Sequence, residues 1–86
     1  MRDMGKLHAR GNWFLKVLGN EHPPVHVHVI HPDGKAQVFL DGRVVVGKRV
    51  PDAVIGHAVA WVAAHQAEIR AEWERMDNPQ DRGQEP

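Results

Sequence analysis

Eighty-six residues suffice for one small domain with a single core, and 11 Lys/Arg against 11 Asp/Glu leave a formal charge of +0. No basic field therefore draws the chain to nucleic acid, and the absence of cysteine excludes disulfides and thiolate chemistry. Seven histidines are the excess, and they make the charge sensitive to pH between about 5 and 8.

In chain order, Leu7 to Arg10 reads as a short strand, and Gly11-Asn12 permits a turn or bulge. Trp13 to Leu18 is aromatic and aliphatic enough for a second strand, which Gly19-Asn20 ends. Pro23-Pro24 blocks ladder pairing, and the next strand runs from Val25 to about Ile30. Pro32-Asp33-Gly34 is turn chemistry, with Gly34 expected to accept a positive φ. A strand from Ala36 to Leu40 follows. Asp41-Gly42 then predicts a tight primed hairpin turn into Val44-Val45-Val46.

Pro51 and Asp52 suit a helix start. From there to about Met76, Ile55, Val59, Val62, Ile69, Trp73 and Met76 form one helical stripe, widened by Ala58, Trp61 and His65. Gly56 weakens the run and marks either a kink or close packing, and the last turns of so long a helix should overhang the sheet. The expected fold class is α+β: a small antiparallel β-meander of three to five strands, then one long C-terminal helix packed on one sheet face. Residues 1–76 make the single domain and 77–86 a disordered tail. No stretch approaches about 18 apolar residues and no apolar leader opens the chain, so a cytoplasmic protein without membrane attachment is expected.

The densest chemistry lies in His22-Pro23-Pro24-Val25-His26-Val27-His28-Val29. Side chains alternate across a strand, so His26 and His28 share one face while Val25, Val27 and Val29 share the other. With the valines beneath the helix, both imidazoles should turn outward on an accessible face.

This segment, the run Gly34-Lys35-Ala36-Gln37-Val38-Phe39-Leu40-Asp41-Gly42, and a proline-started helix holding Ala60-Trp61-Val62 and ending near Glu72-Trp73 resemble one small prokaryotic family. That family is domain of unknown function 4160. The resemblance extends from Gly11 to Trp73, with His31 and the polar C-terminal extension as departures. By motif it carries over His22, Pro23, Pro24, His26, His28 and Trp73, though without assigned roles. It implies no activity, but it does imply gene pairs resembling toxin–antitoxin modules.

Two readings of function follow. In the first, the chain is a non-catalytic component of such a pair. It binds a small protein encoded nearby, or a second copy of itself, through the open sheet face or a sheet edge. Trp73, Arg43, Lys48 and Arg49 are the candidate partner-binding residues, with the three cations forming one local patch. In the second, His22, His26 and His28 hold zinc or manganese, or one acts as a general base, in a hydrolase or ribonuclease. The plainer account of the same imidazoles is that they are surface side chains bonded to backbone. A third alternating histidine, as in nucleotide hydrolases, is missing because Ile30 stands there and His31 faces the other way. DNA binding is disfavoured on charge. His65 is expected at the core edge, bonded to a sheet carbonyl, and His8 and His57 have no partner visible in the sequence.

Overall fold

A computed structural model describes residues 6–19 and 21–76. The tail expected over 77–86 lies outside the described residues. Five strands, β1 (Lys6–Arg10), β2 (Trp13–Lys16), β3 (His26–His31), β4 (Gly34–Phe39) and β5 (Val44–Val46), form one antiparallel sheet in chain order. Two helices follow, α1 (Asp52–Ala64) and α2 (Gln66–Arg75), so the α+β class stands and the single long helix is corrected to two.

The sheet's register sorts the residues by face. Leu15, Val29 and Ala36 lie abreast, as do Val27 and Val38. On the opposite face, Lys16 pairs with His28 and His28 with Gln37, while His26 pairs with Phe39. The aliphatic face packs against Ala58 and Val62 of α1, with Leu15, Val25, Val27, Val29 and Val38 fully buried. Each such side chain contributes about 1.5–3 kcal/mol on leaving water. The valines of the histidine segment therefore lie where the alternation predicts.

Turn chemistry differs from expectation at two glycines. Gly34 does not have a positive φ; it is small because the chain returning from β5 crosses it, and an added Cβ would run into the Arg49 carbonyl. At the β4–β5 hairpin, the Phe39 amide donates to the Arg43 carbonyl (2.9 Å) and the Gly42 amide to the Phe39 carbonyl (2.9 Å). Three residues thus span the loop rather than two, and Gly42 (φ 96°) supplies the left-handed position that ends such a loop.

The helix breaks at His65, not at Gly56. The His65 amide bonds one residue short, to the Val62 carbonyl (3.2 Å), while its ring Nδ1 donates to the Trp61 carbonyl at 2.8 Å. The imidazole takes over the bond the backbone would have made, and it stacks on the Trp61 ring (centroids 4.0 Å, 12°). The partner carbonyl expected in the sheet is thus in the helix itself.

The break changes what the second half of the helix covers. Gln66 Nε2 donates to the Leu40 carbonyl at 2.8 Å, and the last turn reaches Gly19, where a Cβ would meet the Met76 carbonyl at 3.6 Å. α2 therefore runs across the strand ends from β4 past β3 to β2, instead of overhanging them. Ile69 and Trp73, both fully buried, close that end of the core.

Candidate functional site

The cap formed by α2 reshapes the histidine face. His26 and His28 do point away from the valines, but they are not accessible: His26 is 4% exposed and His28 is 9% exposed. The Trp73 ring stands edge-on to His26 (5.2 Å, 64°), and Phe39 also packs against it (4.8 Å, 37°). This corrects the expectation of outward imidazoles. Trp73, expected as a packing residue that could also anchor a partner from the helix end, is fully buried.

Between the rings comes a group that the histidine pattern did not include. Glu21, on the loop between β2 and β3, brings Oε1 to 3.0 Å from His26 Nε2 and 3.5 Å from His28 Nε2. One ligand atom from each of the three residues lies within 4.8 Å of the others. His22 is exposed and does not belong to this group, so the third member is the residue before it. The sequence offers Glu21, like Asp33, only as a nearby acid for an outer shell, because a loop carboxylate has no periodicity to mark its direction; the Glu-x4-His-x-His spacing is the one trace of its place in the cluster.

The protons in this cluster are constrained. His26 Nδ1 lies 2.8 Å from the Pro24 carbonyl, which can only accept, so Nδ1 carries the hydrogen. In a neutral ring Nε2 would then present a lone pair to a carboxylate oxygen 3.0 Å away. Two acceptors at that distance are stable only with a hydrogen or a cation between them: a proton on Nε2, a proton on the carboxyl, or a bound metal ion. His28 Nε2 is buried with no hydrogen-bond partner among the described residues, although it faces the same oxygen. Burial pulls the His28 ring below the ordinary imidazole value, and Glu21 opposes that pull. His28 thus favours the neutral form, the state able to ligate a metal.

Beside the cluster, on the same sheet face, Leu18, His28, Ile30, Gln37 and Val45 line a shallow groove of about 270 Å³. Val45 is 50% exposed there. The cations of the expected basic patch flank β5. Arg43 sits at one end of β5, ion-paired with Asp41 (3.5 Å) and 4.3 Å above the Phe39 ring. Lys48 and Arg49 are exposed beyond the other end, about 10 Å of strand away.

A second histidine cluster joins the helix to the sheet edge. His8 Nε2 is 3.1 Å from His57 Nε2, and the two rings stack (5.3 Å, 11°). The His8 ring also stacks on Trp61 (5.2 Å, 22°). A register shift in β1 between Lys6 and His8 sets His8 opposite Leu15, on the helix side. Forty-nine residues separate the pair, which is why the sequence showed neither a partner.

Fold and site together define a small α+β domain whose β-meander carries a two-histidine, one-carboxylate cluster beneath a capping helix. The chain belongs to the family described as Domain of unknown function (DUF4160), whose profile matches residues 13–74. That span runs from the start of β2 to the last turn of α2 and contains the whole Glu21–His26–His28 cluster. No curated protein and no solved structure shows significant similarity to the chain. No helix among the described residues is long and apolar enough to cross a membrane.

Proposed function

We propose that this chain is a non-catalytic binding component of a two-gene module resembling toxin–antitoxin pairs, and that it acts in the cytoplasm. It engages the small protein encoded beside it through the groove between β3, β4 and β5. The observation that carries this reading is the groove itself: Val45, half exposed, lies with Leu18 and Ile30 on the one sheet face that α1 leaves uncovered. The three-residue edge strand β5, with Val46 also 50% exposed, offers unpaired backbone to an added strand. A formal charge of +0 favours a protein partner over a phosphate backbone. Arg43, Lys48 and Arg49 then form a charged rim rather than the centre of the contact.

Co-expression with the neighbouring gene product, followed by purification and sedimentation, tests the reading. A stable complex is expected, and Val45→Arg should weaken it at least tenfold while leaving the chain folded. A monomer that forms no complex with that product counts against the proposal, and a homodimer sensitive to Val45→Arg reassigns the groove to a second copy.

The alternative reading, metal-assisted hydrolysis of RNA or another ester, is supported by the cluster, with Glu21 replacing His22 as third ligand. It requires activity with RNA or ester substrates that zinc or manganese restores to the metal-stripped protein and that His28→Gln abolishes.

A further inference from the structure

We propose that Glu21, His26 and His28 form a binding site for a single divalent transition-metal ion of the zinc class. The site stands whether or not the chain hydrolyses anything, and it goes beyond partner binding. Two independent features point to the same spot. The first is the Glu21 Oε1 and His26 Nε2 pair at 3.0 Å, which needs a hydrogen or a cation between its atoms because Nδ1 already donates to Pro24. The second is His28 Nε2, nine-tenths buried, without a hydrogen-bond partner among the described residues and 3.5 Å from that oxygen.

The distances suit a metal. Zinc bonded at about 2.0–2.1 Å to nitrogen and oxygen holds tetrahedral ligand atoms about 3.3 Å apart. The two histidine–carboxylate separations, 3.0 and 3.5 Å, bracket that figure, and all three ligand atoms lie within 4.8 Å of one another. Two imidazoles and a carboxylate select zinc, and less tightly manganese, over magnesium and calcium, which prefer oxygen. The Pro24 carbonyl fixes the orientation of the His26 ring, the usual outer partner of a ligating histidine. Phe39 and Trp73 both pack against the same ring.

A bound ion would tie the β2–β3 loop, through Glu21, to β3 and to the ring that packs against α2. His28 also lines the partner groove, so the ion would lie beside any docked partner. The His8–His57 pair is the competing zinc site on this chain, which sets the controls.

The full-length chain, stripped with chelator, is titrated with zinc by calorimetry, and cobalt substitution reports ligand geometry by absorbance. One high-affinity ion per chain is expected, with magnesium and calcium silent. Glu21→Gln and His28→Gln should each weaken zinc binding at least tenfold, while His22→Ala and His57→Ala leave it unchanged. Glu21 is only partly buried, so its amide variant keeps the fold, which circular dichroism verifies. Failure to bind zinc overturns the proposal. So does affinity retained in both cluster variants, or lost with His22→Ala or His57→Ala. None of these readouts depends on complex formation or hydrolysis, so the proposed function can fail while the site survives.

Discussion

The two histidine clusters of this domain use similar parts to opposite ends. At β3, two imidazoles meet a carboxylate, and the cluster needs an added hydrogen or cation to be satisfied. At the β1–α1 contact, His8 and His57 face each other at 3.1 Å, and a single shared hydrogen satisfies both. A second hydrogen there would set two N–H donors head to head. One carboxylate thus separates a cluster that calls for a proton or a cation from a pair that one shared hydrogen satisfies.

The largest predicted effect tests how the first cluster is held. Trp73→Ala removes a fully buried ring that touches His26 and should cost about 3–5 kcal/mol in urea unfolding. Trp61→Ala, under the second cluster and only partly buried, should cost about 1–2 kcal/mol. Equal losses would mean that the two clusters are equally embedded and would break the comparison.

Next comes the removal of one imidazole from each cluster. His26→Ala opens a cavity between Phe39 and Trp73 and leaves the Pro24 carbonyl without its donor, for a loss on the order of 2–4 kcal/mol. His57→Ala should cost under about 1 kcal/mol, because the ring lies nearer the surface. Denaturant midpoints of the two variants decide.

The smallest effect is one of pH. Burial, then the neighbouring His57, Arg10 and His65, hold His8 below the ordinary imidazole value of 6.5, with Glu68 opposing. A depressed folded-state value means that the unfolded chain takes up the proton first. The contribution of this contact is therefore complete above about pH 6.5 and is lost as pH falls below it. Melting temperature should decline between pH 6.5 and 5, and His8→Gln should flatten that decline. An unchanged slope in the variant would remove His8 as its source.

Much of the fold was legible in local chemistry. Glycines, prolines and β-branched runs marked five strands close to their observed bounds, and the alternation of His26 and His28 with valines assigned both faces of β3. The helix break escaped because its cause is one side chain: the His65 ring captures the Trp61 carbonyl, and neither propensity nor periodicity records that bond. From that break follows the fold of α2 across the strand ends, and with it the burial of His26 and Trp73. The site was half legible. Strand geometry paired His26 with His28, whereas Glu21 and the exclusion of His22 depend on loop path, which adjacency in sequence does not determine. The pairing of His8 with His57 depends on a strand bulge meeting a helix far along the chain.

The central claim, that Glu21, His26 and His28 converge on one positive species, is tested most directly by nitrogen NMR of the imidazole rings at neutral pH. The account predicts that His26 carries hydrogen on Nδ1 throughout, and that stoichiometric zinc moves the Nε2 resonances of His26 and His28 together, a response lost in Glu21→Gln. A neutral His26 protonated at Nε2 alone, or ring signals that zinc leaves in place, would contradict it.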